Sequence, residues 1–364
     1  MDLPIITAKG TPYEVGFQHG EQTSSRIRTN ISYYLNLWYH YCGVEKNRVL
    51  EDAQVFLPFI EKMDIDLIQE LKGVAEGAKM QFEEILALNA RWELNYAYLF
   101  PDAMDTAAEG CTTLAVTPDA SIDNHMYIGQ NWDYKPALKT GCILLHILQD
   151  NKPDIIMHTE AGIIGHKGFN SAGFGICMNY IRCDQDVFRP GLPVWLKVRS
   201  LLNSENLSNF LGILMENEGP NSANMLIAHR DGEAIDAECT PEDVYFLYAT
   251  EGISTHGNHF MSPRFRAKDS GKSLLPDTVI RSERAHRLLY EKRTEIRLET
   301  IQSVLTDHFG YPNSICRHRD PGLNPHAQWE TLTSLVIDLT EGRMHYTEGT
   351  PCSQPYKTLS IKPR

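Results

Sequence analysis

Glu109-Gly110-Cys111-Thr112-Thr113 lies where the sequence changes from a helical to a strand-like pattern. Attack by the Cys111 thiol on the carbonyl carbon of Gly110 would cleave the chain at this point. Cys111 would then begin a new chain, with its α-amine beside its own sulfur, and a nucleophile paired with an amine base is an established arrangement for acyl transfer. The alternative is a small buried thiol, because free cysteine is among the most buried residue types. The segments on either side favour the nucleophile.

The chain before this junction has helical periodicity. Residues 12–96 contain two sets of apolar residues spaced three and four apart, as on the buried face of a helix. The sets are Ile27, Ile31, Tyr34, Leu35 and Trp38, followed by Leu67, Ile68, Leu71, Val74, Ala75 and Ala78. Pro58 is expected between two helices or at a kink. A further helix is predicted over 82–98, and the small and polar residues of 99–110 predict an accessible loop.

The chain after the junction begins with a predicted hairpin. Residues 112–117 and 126–129 are β-prone, and residues 118–124 between them are rich in turn formers. Strands then recur among helical segments, which favours a layered α+β body over alternating βαβ units. The further predicted strands are 142–148, 155–159, 173–179, 224–228, 243–248 and 332–338, and the predicted helices are 193–217 and 281–307.

The hairpin geometry brings a carboxylate to the candidate nucleophile. A turn centred on residues 120–122 places Cys111 opposite Asn131 or Trp132, and cross-strand neighbours lie roughly 5 Å apart. Asp133 is then one step from the thiol. The competing interpretation of Asp133 is a turn or capping residue.

Composition and charge narrow the function classes. The chain has 364 residues, of which 42% are hydrophobic, and a formal net charge of −13. This acidity argues against nucleic-acid binding, which requires basic surfaces. The longest apolar runs are too short to span a bilayer, and the N-terminus lacks the pattern of a signal peptide. A cytoplasmic protein without membrane partners is therefore expected.

The cysteines predict neither disulfides nor a metal site. Eight cysteines are dispersed along the chain without a framework of close spacings. Cys177 and Cys183 are too far apart for a zinc knuckle, and His256 and His259 form an isolated pair. We therefore expect no metal and no cofactor.

Six motifs carry a resemblance to a known family. They run in order along the chain as Gly10-Thr-Pro-Tyr-Glu-Val-Gly16 with His19-Gly20, Glu109–Thr113, Gly129-Gln-Asn-Trp-Asp133, Thr159–Gly165 with Gly168–Gly173, Thr255-His-Gly-Asn-His259, and Ser314-Ile-Cys-Arg317. Each motif alone is weak, but the ordered set is specific. The chain resembles the acyl-CoA:6-aminopenicillanate acyltransferase family, also called isopenicillin N acyltransferases or C45 peptidases.

The resemblance implies an N-terminal nucleophile hydrolase. Its fold would be a four-layer αββα sandwich of the α+β class with a helix-rich N-terminal leader. Autocatalytic cleavage at Gly110–Cys111 would convert this zymogen into a small subunit, residues 1–110, and a large catalytic subunit, residues 111–364. The partner of each subunit would then be the other fragment of the same chain.

The resemblance also assigns site residues. Cys111, Asp133, Asn258 and Arg317 would form the catalytic site, with Gly110 and Thr113 serving in processing beside Cys111. Acyl transfer needs a nucleophile, a proton acceptor and donors to the developing oxyanion. The free α-amine of Cys111 would be the base, Asp133 would orient it, and Asn258 would donate to the oxyanion.

Several of these residues have simpler interpretations. From sequence alone an Asx turn is favoured for Asn258 and a surface ion pair for Arg317. Thr113 is by default an ordinary strand residue. His256, His259 and Glu160 are chemically attractive, but we leave them outside the site.

Three functions follow from this pattern. The first is hydrolysis of a small N-acyl amine or N-acyl amino acid through an acyl-Cys111 thioester. The second is N-acyl transfer with acyl-CoA as co-substrate. Gln130 favours the acyltransferase branch, because the more distant bile-salt and penicillin V hydrolases have an arginine there. The third is an inactive binding homologue, against which the intact set of site residues argues.

Overall fold

The structure is a computed structural model that describes residues 3–99, 109–216, 219–323 and 327–362. The predicted loop 99–110 therefore lies largely outside the described residues. No helix among the described residues is long and apolar enough to cross a membrane.

The described residues form eleven helices and fourteen strands. The helices are α1 Pro12–Cys42, α2 Lys46–Ala53, α3 Leu57–Met63, α4 Ile65–Ala78, α5 Phe82–Asn89, α6 Arg91–Tyr98, α7 Val194–Leu202, α8 Leu207–Met215, α9 Gly271–Leu274, α10 Thr278–Tyr290 and α11 Leu298–Leu305. The strands are β1 Ile5–Gly10, β2 Thr112–Val116, β3 Tyr127–Tyr134, β4 Cys142–Gln149, β5 Ile155–Glu160, β6 Gly168–Asn170, β7 Phe174–Asn179, β8 Ala223–His229, β9 Glu233–Cys239, β10 Val244–Tyr248, β11 Ile253–His256, β12 Glu330–Asp338, β13 Arg343–Tyr346 and β14 Lys357–Ser360.

Two compact units make up the chain. The first contains Met1–Ala107, Leu138–Gly168 and Asp186–Asn221. Its strand β1 pairs in parallel with β4, which pairs antiparallel with β5. Helix α1 packs on β1 and β4 and on α4. This unit therefore combines residues from both sides of the Gly110–Cys111 junction.

Helices α1 and α4 approach each other through glycine. An added Cβ at Gly16 would lie 2.0 Å from the carbonyl oxygen of Glu70, and one at Gly73 would lie 2.1 Å from that of Tyr13. Only glycine permits such close backbone contact. Helix α1 begins at a capping box in which Thr11 and Glu14 satisfy each other's backbone N–H groups.

The second unit contains Ala108–Ala137, Phe169–Gln185 and Ser222–Arg364. One sheet has the strand order β11-β2-β3-β12-β13-β14, and all its pairs are antiparallel. Strands β2 and β3 pack against β7 and β8 of a second sheet. Helices α10 and α11 cover the six-stranded sheet, and their apolar residues share its core. This unit is thus layered helix on sheet on sheet.

The predicted α+β class is confirmed, with helices against sheets and two sheets face to face, the layers of an αββα sandwich. Three predicted helices are each divided, 82–98 into α5 and α6, 193–217 into α7 and α8, and 281–307 into α10 and α11. Pro58 lies in the first turn of α3, where its missing N–H costs no helical bond. The division into 1–110 and 111–364 concerns a covalent boundary and stays a prediction.

Candidate active site

The hairpin of β2 and β3 sets the position of the candidate nucleophile. Thr112 is paired with Asn131 and Thr113 with Gln130, so the turn is centred between residues 121 and 122. The N–H of Gly110 donates to the carbonyl oxygen of Asp133 at 3.0 Å. The predicted register is confirmed: Cys111 follows as the neighbour of Trp132, and Asp133 lies one step away.

Alternation along β2 separates two environments around Cys111. The Thr112 hydroxyl points toward α10, where it accepts from Arg281. The Thr113 hydroxyl points to the other sheet, where it accepts from Asn179 of β7. Successive strand side chains point to opposite faces, so a helix-side and a sheet-side polar network meet at the junction. Cys111 is fully buried.

Asp133 and Arg317 form the centre of the helix-side network. The guanidinium Nε of Arg317 lies 3.4 Å from the Asp133 carboxylate, which also accepts from Thr331 at 2.6 Å. The Arg317 side chain is buried and lies over the Cα of Gly110, where an added Cβ would be 3.0 Å from Nε. Arg317 is therefore buried beside Gly110 and Asp133, and it does not form the surface ion pair that sequence alone favours.

The Asp133 carboxyl group has an unusual proton affinity. Burial raises the pKa of Asp133 to about 7, although the guanidinium groups of Arg317 and Arg281 oppose this rise. A carboxyl group with a pKa near neutrality can gain or lose a proton at ordinary pH. Such shifted groups concentrate at functional sites.

Arg281 of α10 connects Cys111, Asn258 and Asp277 within this network. The sequence analysis did not predict this residue. Its Nη1 donates to the carbonyl oxygen of Cys111 at 2.6 Å, and its Nη2 donates to the side-chain oxygen of Asn258 at 2.8 Å. Its Nε donates to Asp277 at 2.6 Å, and Asp277 also accepts from Arg317. Burial alone would raise the pKa of Asp277, but the two guanidinium groups hold it below its usual range.

Asn258 contacts the Nη2 atom of the Arg281 guanidinium group. Its side-chain Nδ2 donates to the carbonyl oxygen of Tyr180 at 2.9 Å, and its backbone N–H donates to Thr278. A primary amide has two N–H groups, so one remains for another acceptor. Asn258 is fully buried and is oriented at both its oxygen and its nitrogen.

The sheet-side network begins at Thr113 and is buried throughout. Asn179 donates to Thr113 at 2.8 Å and to Asn224 at 2.7 Å, and Asn224 donates to Asp236. His256 is the next residue in this network and lies close enough to Asp236 to interact with its charge. Burial alone would lower the pKa of His256, but the nearby carboxylates, Asp236 foremost, raise it to about 9.

The structure thus brings together all the predicted site residues. Gly110, Asp133 and Arg317 are in contact, and Arg281 links the Cys111 carbonyl to Asn258. Glu160 lies elsewhere, in the first unit, where it accepts from Tyr34 and Arg91. Of the two histidines set aside, His256 pairs with Glu238, and His259 contacts Thr278.

Gln130 has a structural partner. Its side-chain amide donates to the carbonyl oxygen of Met178 and accepts from the N–H of the same residue. Gln130 therefore joins β3 to β7 as a backbone pair would.

A buried thiol lies at a strand start beside a network of arginine, aspartate and asparagine, an arrangement that is compatible with acyl-transfer chemistry on cysteine. Comparison with known proteins agrees. The family model "Acyl-coenzyme A:6-aminopenicillanic acid acyl-transferase" matches residues 121–352, more than half of the chain. The 40 kDa form of acyl-coenzyme A:6-aminopenicillanic-acid-acyltransferase from Emericella nidulans is 31% identical over 341 residues, covering 92% of this chain and 89% of that protein. The chain belongs to this acyltransferase family.

Two solved structures resemble the chain more distantly. A mutant conjugated bile acid hydrolase from Clostridium perfringens has a TM-score of 0.49 at 15% identity, covering 70% of this chain and 93% of its own. Penicillin V acylase from Agrobacterium tumefaciens has a TM-score of 0.48 at 13% identity, covering 69% of this chain and 86% of its own.

Proposed function

We propose that the protein is a self-processing enzyme that hydrolyses a small N-acyl amine or N-acyl amino acid through a thioester on Cys111. The observation that carries this proposal is the position of the Gly110–Cys111 junction. It is buried, and Arg281, Arg317 and the backbone of Asp133 all contact it.

Self-cleavage would proceed through an acyl shift. The Cys111 sulfur bonds to the carbonyl carbon of Gly110, the C–N bond breaks, and the thiol proton passes to the departing nitrogen. Water then hydrolyses the Gly110 thioester, which leaves a carboxylate on Gly110 and a free thiol on Cys111. The products are residues 1–110 and 111–364, and the new α-amine has an ordinary pKa of about 8.

Turnover would repeat the same chemistry on an external amide. The α-amine accepts the thiol proton and returns it to the leaving amine of the substrate. Asp133 orients the amine and tunes its pKa by charge. Arg281 holds the Cys111 carbonyl, Arg317 holds Asp133, and the second N–H of Asn258 donates to the oxyanion.

The acyl acceptor separates hydrolysis from transfer. Water reaching the thioester gives an acid, whereas an amine gives a new amide, and with an acyl-CoA donor the leaving group is the CoA thiol. The family membership favours transfer as the second candidate, since the Emericella nidulans relative is named an acyl-coenzyme A acyltransferase. We further propose that the enzyme acts in the cytoplasm and needs no cofactor beyond this co-substrate.

Purified protein tests the processing step. We expect two fragments of 110 and 254 residues, since 364 − 110 = 254, and a large fragment that begins Cys-Thr-Thr-Leu. Cys111→Ala should remain one chain. An active preparation that lacks this new N-terminus would exclude the mechanism.

A substrate panel tests the reaction. Processed enzyme is incubated with N-acyl amino acids, N-acyl amines, and acyl-CoA donors with and without amines, and the products are measured by mass spectrometry. We expect free acids from the amides and an acyl adduct on the large fragment at early times. Release of acyl products without any adduct on Cys111, or no turnover of the whole panel, would contradict the proposal.

The role of Asn258 has a kinetic signature. Removal of one oxyanion donor lowers kcat by roughly 10²–10³ in other enzymes, because the donor acts mainly on the transition state. We expect Asn258→Ala, assayed in processed form, to lower kcat by about this factor with little change in KM. Unchanged kcat with a raised KM would assign Asn258 to substrate binding.

A further inference from the structure

Four side chains of the second unit form a cluster that the proposed reaction does not use. They are His308, Cys316, His318 and Cys352, and one ligand atom from each lies within 4.8 Å of all the others. Three come from the segment that follows α11, and Cys352 comes from the turn between β13 and β14. All four carry sulfur or imidazole nitrogen, the donor atoms that zinc takes in structural sites.

Three of the six distances between these atoms, all measured from His318 Nε2, are close to the edges of a coordination tetrahedron. The two Nε2 atoms of His308 and His318 are 3.1 Å apart. The Nε2 of His318 lies 3.6 Å from the Cys316 sulfur and 3.5 Å from the Cys352 sulfur. Zinc–nitrogen and zinc–sulfur bonds of about 2.0–2.1 and 2.3 Å at tetrahedral angles give N···N edges of about 3.3 Å and S···N edges of about 3.6 Å.

Hydrogen bonding explains only part of this arrangement, because Cys316 and Cys352 are hydrogen-bonded to each other whereas the contacts of His318 compete for one atom. One ring nitrogen of His318 faces three groups, namely His308, Cys316 and Cys352. A ring nitrogen has either one hydrogen or one lone pair, so it can serve one of the three. A cation at the centre satisfies all four groups together.

We propose that His308, Cys316, His318 and Cys352 bind one Zn²⁺ ion in a tetrahedral structural site. Four protein ligands leave no open position for substrate, so the ion is structural and not catalytic. Carboxylate and carbonyl ligands, which magnesium and calcium prefer, are absent from the set. Cys316 is buried, whereas His308 and Cys352 are exposed, which leaves the ion accessible to chelators.

The ion would fix the backbone around Arg317. Cys316 and His318 are its two chain neighbours, so ligands flank the residue whose guanidinium contacts Asp133 and Asp277. Arg317 is already held by two hydrogen bonds with Thr331: the Arg317 N–H donates to the Thr331 hydroxyl at 2.9 Å, and the Thr331 N–H donates to the Arg317 carbonyl oxygen at 3.1 Å. The sequence expectation of no metal considered only Cys177, Cys183, His256 and His259, none of which belongs to this cluster.

Metal analysis of the full chain tests the site without an activity assay. Protein expressed with added zinc and desalted should contain one Zn²⁺ per chain. After replacement by Co²⁺, it should show the intense visible bands of tetrahedral cobalt and the near-ultraviolet thiolate charge-transfer bands. Cys352→Ser should weaken binding by at least roughly 100-fold and lose these bands. A chelator should lower the melting temperature of the wild type but not of Cys352→Ser.

Two matched variants locate the metal. Cys42→Ser removes another exposed cysteine and should leave the stoichiometry and the spectrum unchanged. Cys111→Ala should do the same, whereas loss of the bands in that variant would place the metal at the proposed nucleophile and overturn the inference. A chain that takes up no metal at micromolar Zn²⁺, or anaerobically purified protein with a Cys316–Cys352 disulfide, would also overturn it.

Discussion

Gly110 occupies a position where a side chain would meet a cation. Its φ is not among the left-handed values that favour glycine, so conformational freedom does not explain the residue. The guanidinium of Arg317 instead lies against its Cα, with Nε 3.0 Å and Cζ 3.3 Å from where a Cβ would be. Glycine is therefore suited here to close approach by Arg317.

We expect Gly110→Ala to slow self-cleavage by roughly 10–100-fold, because small misplacements of reacting groups have costs up to about this size. The time course of cleavage on a denaturing gel measures the effect. Gly212→Ala is the matched control, since a Cβ at Gly212 has no atom within 4 Å, and it should cleave at the wild-type rate. Equal rates of self-cleavage for both variants would show that Arg317 can move away from an alanine side chain without slowing the reaction.

Asp133 makes the stability of the fold depend on pH. In the unfolded chain it titrates near about 4, whereas in the fold its pKa is about 7. Below about pH 4 both states hold the proton, so the stabilising contribution is fully present. As the pH rises from about 4 to about 7, the unfolded state releases its proton first, and this contribution is lost.

We expect Asp133→Asn, made in the uncleavable Cys111→Ala chain, to remove this dependence. The melting temperature of the double variant minus that of Cys111→Ala should rise between about pH 4 and 7 and then level off. Any other destabilisation that the substitution causes, such as lost packing, does not depend on pH. It shifts the difference in melting temperature by a constant amount. In Cys111→Ala/Arg317→Gln the pKa of Asp133 should rise further, since Arg317 opposes its elevation. A difference that stays flat across this range would show that Asp133 titrates normally.

Helix α10 brings charge to the start of β2. Its residue Arg281 contacts the Cys111 carbonyl, Thr112, Asn258 and Asp277, and is itself buried. One turn further along, Arg284 forms a partly exposed ion pair with Asp307. The same helix therefore has one arginine at the junction, Arg281, and one away from it, Arg284. Substitutions at these two positions can be compared directly.

We expect Arg281→Lys to abolish or strongly slow processing, by about 10² or more, because an ammonium cannot reproduce a guanidinium that serves four acceptors. Arg284→Lys should process normally and lose at most about 1 kcal/mol of stability. Circular dichroism checks folding, and intact mass follows cleavage over time. Normal cleavage of a folded Arg281→Lys protein would remove Arg281 from the site.

The helices and strands that could be predicted are those whose own sequence has a periodic apolar pattern. The β2–β3 hairpin and its register follow from alternation and a short turn, and α1 and α4 follow from apolar periodicity. The strands β1, β6, β9, β11, β13 and β14 were not predicted. In β9 the polar residues Asp236 and Glu238 lie buried in tertiary networks, which masks the strand pattern.

The residues of the candidate site also differ in how far the sequence could predict them. Cys111 and Asp133 could be predicted from the hairpin alone, whereas Asn258 and Arg317 required the family resemblance. Arg281 could not be predicted, because an arginine in an amphipathic helix is by default a solvated residue. The metal-type cluster gave only the spacing Cys316-x-His318 as a signal, since Cys352 joins the other ligands only in the folded chain.

At the scale of the whole molecule, the first compact unit combines segments from both sides of the junction. Strand β1 of the leader pairs with β4 over six residues. Tyr34 and Arg91 of the leader donate to the buried carboxylate of Glu160 on β5. Asn30 donates to the carbonyl oxygens of Gly141 and Ala161. After cleavage these contacts would hold fragment 1–110 in place.

We expect the two fragments to elute together in gel filtration and to separate only in denaturant. Glu160→Ala should lower the urea concentration of separation markedly, because loss of one partner of a buried ion pair costs about 3–5 kcal/mol. Glu348→Ala, which breaks an exposed pair with Lys357, should have almost no effect. Separation of the wild-type fragments in plain buffer would contradict this account.

The burial of Gly110 and Cys111 has a kinetic consequence for the proposed processing. Attack within one enclosed site is first order, so its half-time should not vary with dilution, and a mature copy should not speed the maturation of a fresh one. Arg281 and Arg317 reach the junction from distant parts of the chain, and Asn258 contacts Arg281, so a nascent or misfolded polypeptide would lack the proposed cleavage site. Maturation would then act as a test of folding, and the number of new Cys111 amino groups would count correctly folded molecules.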